Sequence, residues 1–203
     1  MEKNGYTAKS KWSVDHAHCD IGFNVQHLTI GHVRGAFKIF DSNIYTTGKD
    51  FLTSEVDLWI DASSITTGDA IRDKHLKSSD FLDVKNFRQI TFTSSTIFKS
   101  DTKKNHELWG ELTLKGVTQM VKFNVQFGGL LNDHQGNARA GFTIEGSINR
   151  SDWGLQWNLQ TESGDLMVSD EVIVSCEVEF TSKGNNCLTW QPEETFEEIY
   201  CIQ

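Results

Sequence analysis

Apolar and polar residues alternate along most of this 203-residue chain, and this spacing restricts its fold more than any other feature. A period of two places successive side chains on opposite faces of a β-strand, whereas a helix needs apolar residues at spacings of three and four. The runs that keep one parity contain Val33, Gly35, Phe37 and Ile39; Leu52, Val56, Leu58 and Ile60; Leu108, Leu112 and Leu114; Val117, Val121, Phe123, Val125 and Phe127; Ala138, Ala140, Phe142, Ile144 and Ile148; and Val172, Val174, Cys176, Val178 and Phe180. The alternation predicts an all-β protein whose strands each bury one face.

The first strand is less regular than the others. Trp12 is even-numbered, whereas Ile21 and Phe23 are odd-numbered. A strand that exchanges its inward face must contain a bulge or a bend between the two parts. We expect this bend at Gly22 or within residues 17–20.

Turn residues indicate how the strands are connected. Lys115-Gly116 separates two runs so closely that an antiparallel hairpin is predicted, and residues 132–137 make a looser one. The runs correspond to about eight strands, a number that closes a barrel which is either filled by side chains or holds one small ligand. One polar segment, residues 67–76, interrupts the strand period and can begin a helix.

Small residues on the inward parity favour a cavity over a filled interior. They stand between larger apolar side chains at Gly35, Ser54, Ser94, Gly110, Ala138, Ala140 and Gly146. The predicted cavity wall consists of Phe23, Val25, Phe37, Leu58, Phe92, Leu112, Val121, Phe123, Phe142 and Ile144. For each wall residue, ordinary core packing is an equal alternative to ligand contact.

Net charge narrows the range of partners. The chain carries a formal charge of −9 and has a pI near 5.2, so clustered Lys and Arg for nucleic acid or an anionic membrane surface are missing. No apolar stretch is long enough to span a bilayer, and residues 1–11 lack the apolar core of a secretion signal. We expect a cytoplasmic protein, or a periplasmic one if a signal peptide has been removed. The sequence is compatible with a homodimer.

Cysteine spacing gives no sign of a metal site. Cys19, Cys176, Cys187 and Cys201 form no CxxC pair and no zinc-ligand pattern with histidine. Cys19 and Cys176 share the inward parity of strands that become neighbours when a barrel closes, so a disulfide between them is conceivable. A reducing cytoplasm favours free thiols.

Histidines supply the main alternative to ligand binding in a cavity. His16 and His18 share one strand face, and His27 and His32 follow nearby, so a metal site with Asp15 or Asp20 is conceivable. Alternate spacing is weak evidence, because strand histidines are more often structural or solvent-facing. Neither HExxH, GxSxG, a P-loop nor GxGxxG is present, so neither an enzyme nor a metal site is predicted.

Several motifs, taken in order, resemble a known family. They are Trp12-Ser13-Val14-Asp15 with His18; Gly22-Phe23-Asn24-Val25 with His27; Gly35-Ala36-Phe37; Ser64-Ile65-Thr66-Thr67; Arg72-Asp73-Lys74-His75-Leu76; Ser79-Asp80-Phe81-Leu82-Asp83; Ile90-Thr91-Phe92; residues 110–118; and Asn149-Arg150-Ser151-Asp152-Trp153-Gly154. Agreement of many motifs in order is far more specific than one short pattern. Residues 11–182 thus resemble the YceI-like proteins. Cys19 departs from the usual Ser of that family, and Arg88 from the Pro that commonly follows the aromatic.

The resemblance implies an all-β, eight-stranded antiparallel lipocalin-like barrel with one short helix between strands and short helical turns. In characterised relatives the barrel holds an isoprenoid such as a polyprenyl phosphate or a quinone-type lipid. The predicted function is therefore binding and sequestration or transport of a long apolar lipid, with no cofactor other than that lipid. A stress-related protein or an enzyme acting on an isoprenoid is the alternative. Residues 1–10 would form an N-terminal extension and residues 183–203 a C-terminal tail, docked or loose.

A polar head group would stop at the mouth of the barrel. Arg72, His75 and Arg150 are the candidates to contact it, because they lie on segments outside the strands. The alternative is local bracing, in which Arg72 pairs with Asp73 and Arg150 supports the turn with Asp152. For both arginines we favour bracing.

Overall fold

The computed structural model describes residues 9–28, 30–47, 51–52, 54–99, 105–159 and 166–182. These residues form the strands β1 (Lys9–Val14), β2 (Asp20–His27), β3 (Gly31–Phe37), β4 (Phe40–Thr47), β5 (Glu55–Asp61), β6 (Ile65–Thr66), β7 (Gln89–Lys99), β8 (Asn105–Leu114), β9 (Val117–Asn132), β10 (Ala138–Asn149) and β11 (Val168–Ser182). One α-helix, α1 (Ala70–Leu76), follows β6, and 3-10 turns occur at His16–His18, Ala62–Ser64 and Arg150–Trp153. The predicted tail at 183–203 and most of the N-terminal extension lie outside the described residues.

The strands close into one antiparallel barrel. β1 with β2, β3 with β4, and β5 with β6 each make one bent barrel strand, and β7 to β11 supply the other five. The ring closes at β11, where Phe180 lies opposite Val14 of β1 and Val174 lies opposite Phe23 of β2. The prediction of an eight-stranded antiparallel barrel with one short helix and helical turns is confirmed.

Two neighbouring barrel strands each contain a bend, and the two bends lie next to each other. The turn His16–His18 separates β1 from β2, close to the bend that the change of parity predicts. In the neighbouring barrel strand, which β3 and β4 form, the bend lies at Lys38 and Ile39. Their backbone N–H groups donate to the Ser64 hydroxyl at 3.1 and 3.0 Å. This bend leaves Ile39 53% exposed. The expectation that Ile39 shares the inward face of Phe37 is wrong, because the bend changes the parity between β3 and β4.

Arg88 has a structural role at the junction of β5 and β7. Its guanidinium donates to Asp61 Oδ2 from Nη2 at 2.9 Å and from Nε at 3.2 Å, while Asp61 itself is 4% exposed. A hydrogen bond from Ser63, followed by those from Arg88, lowers the pKa of Asp61. The arginine that stands in place of the family's usual proline therefore neutralises a buried carboxylate.

Phenylalanine rings fill the space beside three of the inward glycines. A Cβ at Gly110 would lie 2.4 Å from Phe92 Cζ, and one at Gly35 would lie 2.3 Å from Phe23 Cζ. At Gly146 the nearest atom of Phe123 would be 2.7 Å away. These glycines therefore leave room for large rings on the inner face of the barrel wall.

Candidate ligand-binding cavity

A cavity of about 1460 Å³ occupies the barrel interior. At about 30 Å³ per water molecule this is the volume of roughly 50 waters, and it exceeds the range of about 300–1,000 Å³ for typical small-molecule pockets. Most of its lining side chains are aliphatic or aromatic. The interior is therefore hollow and apolar, as the inward small residues predict.

The wall follows the predicted parity closely. The predicted residues that line the cavity are Phe23, Val25, Phe37, Leu58, Phe92, Leu112, Phe123, Phe142 and Ile144. Val121 is buried but is not among the lining residues, because it lies on β9 opposite Gly110 in the packed part of the wall. Whether each lining residue contacts a ligand stays a prediction.

A cluster of aromatic rings narrows one part of the cavity. Phe51 contacts Phe142 at 5.1 Å, Phe127 at 5.7 Å and Trp12 at 5.2 Å between ring centroids. Phe142 also contacts Phe180 at 6.1 Å in an edge arrangement. Sequence reasoning missed Phe51, because this residue lies between β4 and β5 and outside the strand runs. These rings give this part of the wall a large apolar surface.

The cavity runs along the barrel from one end to the other. Both His106 and Leu114 line it, and they are eight residues apart on β8. At about 3.3 Å per residue their separation is about 26 Å along the strand. Leu114 marks the end that carries α1, where the exposed side chain of Ile71 also lines the cavity. His106 marks the far end, where the exposed Lys99 does so.

At the α1 end, Arg72 is engaged with the backbone that leads into the helix. Its Nε donates to Thr67 Oγ1 at 2.7 Å and its Nη2 to Thr67 O at 3.1 Å. The same threonine donates from its hydroxyl to Asp73 Oδ1 at 2.6 Å, and Asp69 caps α1 by accepting the N–H of Ile71. Arg72 lines the cavity and is held by Thr67, whereas the sequence analysis named Asp73 as its partner. Its head-group role stays a prediction.

His75 lies beside Arg72 at the same end. Its Nε2 is 2.9 Å from Asp80 Oδ2, and its ring meets Trp157 at 4.7 Å and Phe81 at 5.1 Å in edge arrangements. The carboxylate and the two rings fix the imidazole in one orientation. A ligand head group at this end would therefore compete with Asp80 for the hydrogen bond of His75.

Arg150 is 6% exposed and is satisfied by the backbone. Nε donates to Ser169 O at 2.9 Å, Nη1 donates to the carbonyls of Trp157 at 2.9 Å and Leu155, and Nη2 donates to Val168 O at 3.4 Å. Burial lowers the pKa of Arg150 below its ordinary value. The arginine ties the segment after β10 to the start of β11, and its head-group role stays a prediction.

The far end carries a different set of polar groups. Lys99 of β7 lies directly opposite His106 of β8, and both line the cavity. Burial, and to a smaller degree the Lys99 ammonium, lowers the pKa of His106. Ser54, immediately before β5, also lines the cavity and is 8% exposed. Lys99 and His106 were not singled out from the sequence, and Ser54 was named only as a small inward residue.

The histidines predicted as the alternative metal ligands do not share a strand face. His16 and His18 lie on a 3-10 turn. The ligand atoms of Asp15, His18 and Glu179 lie within 4.8 Å of one another, but Arg139 Nη1 is 2.6 Å from Asp15 and 3.3 Å from Glu179. The guanidinium supplies the cation of this cluster, and its hydrogen bond is the main cause of the lowered pKa of Asp15.

Cys19 and Cys176 are free cysteines. The Cys19 sulfur accepts the Glu179 N–H at 3.1 Å and is not among the cavity-lining residues. Cys176 does line the cavity, and burial raises the pKa of its thiol to about 11. Cys187 and Cys201 lie outside the described residues.

Comparisons with known proteins agree with this geometry. A family model for the YceI-like domain matches residues 12–180. A UPF0312 protein of Staphylococcus aureus strain MSSA476 is 33% identical over 173 residues, which cover 85% of this chain and 98% of that protein. The crystal structure of the Campylobacter jejuni YceI protein is similar, with a TM-score of 0.65, 27% identity, and coverage of 78% of this chain and 90% of that one.

A second solved structure shows the same fold at lower identity. A polyisoprenoid binding domain from Saccharophagus degradans matches with a TM-score of 0.62 and 19% identity, over 85% of this chain and 98% of that one. Within the part of the chain that the structure describes, no helix has the length and apolar character needed to cross a bilayer.

Proposed function

The chain belongs to the YceI-like family, and from this premise we propose that its barrel binds a long apolar lipid of the polyisoprenoid or isoprenoid-quinone type. The observation that carries the proposal is the apolar cavity of about 1460 Å³ that follows the barrel from one end to the other. The name of the Saccharophagus degradans domain supports the same ligand class. The lipid is sequestered or transported, and no catalytic role is proposed.

Apolar burial alone can hold such a ligand. Each CH2 group removed from water contributes roughly 0.8 kcal/mol, so a five-carbon isoprene unit contributes about 4 kcal/mol before the costs of binding. Those costs include about 4–15 kcal/mol for lost translational and rotational freedom. A chain of several units therefore binds tightly through the wall, and polar contacts serve to orient it.

The ends of the cavity would receive the polar head. Arg72, His75 and Arg150 are the sequence-derived candidates, and all three have protein partners at the α1 end. A head group there would share His75 with Asp80. A cytoplasmic location stays a proposal with a periplasmic one as its alternative, and fractionation of cells distinguishes the two.

Extraction of the purified protein tests the proposed function. The full chain, purified without chelators or added lipid, is extracted with organic solvent and the extract is analysed by mass spectrometry. We expect an isoprenoid-type mass close to one per protein, and no metal at stoichiometric level. Protein that carries no lipid and takes up none from vesicles containing a quinone would contradict the proposal. Stoichiometric metal would favour the histidine alternative instead.

A further inference from the structure

The far end of the cavity contains buried polar atoms that no described residue satisfies. Within the described ranges, buried side-chain N or O atoms without a hydrogen-bond partner occur at Trp12 Nε1, Asn24 Oδ1, Thr46 Oγ1, Ser54 Oγ and His106 Nδ1. All of these except Asn24 belong to one end of the barrel. Buried polar groups are nearly always paired, and each unpaired one costs about 1–3 kcal/mol. A concentration of such groups at one end indicates a missing partner.

Strand pairing places three of these residues, Trp12, Thr46 and Ser54, in neighbouring positions. Trp12 lies opposite Ile44 and Tyr45 lies opposite Glu55, so Thr46 and Ser54 occupy the next position of the same ladder. Residues directly opposite in an antiparallel pair have Cβ atoms about 4.5–5.5 Å apart.

The other side of this end is built from β7 and β8. The N–H of Val56, two residues after Ser54, donates to Ser94 Oγ at 2.7 Å, which joins the start of β5 to β7. Further along β7, Lys99 lies opposite His106. Ser54, Lys99 and His106 all line the cavity. Side chains that carry a hydroxyl, an imidazole and an ammonium group therefore line the same cavity.

Lys99 is the permanently charged side chain among the described residues that line the cavity at this end. The one carboxylate among the described cavity-lining residues is Asp69, which lies at the other end and caps α1. Lys99 forms no ion pair with any described residue. By contrast, Arg72 donates to Thr67 and His75 is paired with Asp80. The basic side chains at the α1 end therefore have partners, whereas Lys99 has no ion-pair partner among the described residues.

We propose that Ser54, Lys99 and His106 form the binding site for a phosphate-type oxyanion at the head of the lipid. This inference rests on the proposed function, because the tail of the same ligand would fill the barrel towards α1. Phosphate oxygens accept hydrogen bonds only, and they match a serine hydroxyl, a lysine ammonium and an imidazole N–H. The site favours a polyprenyl phosphate over a polyprenol or a quinone.

Two probes of equal chain length test this proposal. Geranylgeranyl monophosphate and geranylgeraniol are titrated separately into the delipidated full-length chain, and binding is followed by tryptophan fluorescence. We expect the phosphate to bind at least about 10-fold more tightly, the effect of one or two hydrogen bonds between charged groups. Lys99→Met combined with His106→Leu should remove that preference and leave the affinity for geranylgeraniol within about 3-fold.

The matched control changes two basic side chains that line the cavity at the other end, Arg72→Met combined with His75→Leu. This variant should keep the preference for the phosphate. Loss of the preference in the control but not in the Lys99 and His106 variant would place the head at α1 and overturn the proposal. Equal binding of both probes by the native chain would overturn it too, yet leave the apolar binding function standing. Failure of both probes to bind would remove the proposed function itself.

Inorganic phosphate separates a lipid head group from the free ion. Because the apolar tail supplies most of the binding free energy, inorganic phosphate should not displace bound geranylgeranyl monophosphate at equal concentration. Displacement as effective as that by unlabelled geranylgeranyl monophosphate would show a site for the free ion and overturn the assignment to a lipid.

Discussion

Replacing Arg150 with methionine distinguishes structural bracing from contact with a head group. In the native protein its guanidinium is buried and donates to four backbone carbonyls, and two of these bonds, to Ser169 and Trp157, measure 2.9 Å. The methionine variant leaves these acceptors unpaired, which costs about 1–3 kcal/mol for each fully buried group. It also removes the free-energy cost of burying a charge, which offsets part of this loss. We expect a net loss of about 3–5 kcal/mol, as when one partner of a buried pair is removed.

Thermal unfolding followed by circular dichroism measures this loss. For a chain of this size about 1 kcal/mol lowers Tm by about 2–4 °C, so Tm should fall by about 6–20 °C. Arg150→Lys should lose most of the same stability, because one ammonium cannot reproduce the planar fork. Arg34→Met is the matched control, since Arg34 is exposed on β3, and its Tm should stay within about 2 °C.

The result that would refute this reasoning is a variant with native Tm and altered ligand binding. If Arg150→Met kept its Tm but bound geranylgeranyl monophosphate no better than geranylgeraniol, Arg150 would be a head-group contact. Bracing predicts the opposite pair of results, with a lower Tm and an unchanged preference at a temperature where the variant is folded.

Three further predictions concern the wall, a glycine and a carboxylate. Phe142→Asp should abolish lipid uptake because it buries an unpaired charge in the cavity, whereas Phe98→Asp, on an exposed side chain, should bind lipid normally in the same extraction assay. Gly110→Ala would place a Cβ 2.5 Å from a backbone oxygen and should cost about 1–3 kcal/mol; Gly141→Ala, where no atom lies within 4 Å, should leave Tm almost unchanged. Asp61→Asn should destabilise the protein at pH 7, because a lowered pKa in the folded state stabilises it above the unfolded value of about 3.9. That difference from the native protein should shrink as the pH falls below about 4, and a constant difference down to pH 2 would contradict this assignment.

The barrel and most of its wall could be predicted from parity alone. Residues such as Phe142 and Ile144 have only two choices of face in a strand, and burial of the apolar set selects one. Alternation no longer predicts the inward face after a bulge, because the bulge exchanges the residue positions that face inward. From Phe92, which faces inward, strict alternation would place Lys99 outside the barrel. The register shift between Ser94 and Thr96 turns Lys99 inward, and the sequence contains no sign of this bulge.

The polar contacts could not be predicted from the sequence either, but for a different reason. Arg72 and Arg150 both lie near cavity ends, as the sequence suggested, but their partners depend on how distant segments meet. Arg150 bonds to Ser169, nineteen residues away, and to carbonyls that any sequence would supply. Phe51 escaped notice for a similar reason, since it lies between strands and enters the wall only when the barrel closes.

The extension of the cavity to exposed side chains at both ends determines how the barrel can fill. Lys99 at one end and Ile71 at the other both line the interior and contact solvent. An incoming hydrocarbon chain can therefore span the interior while both of its tips stay close to water. A charged tip at either end then keeps part of its hydration, and only the apolar body of the molecule has to leave water.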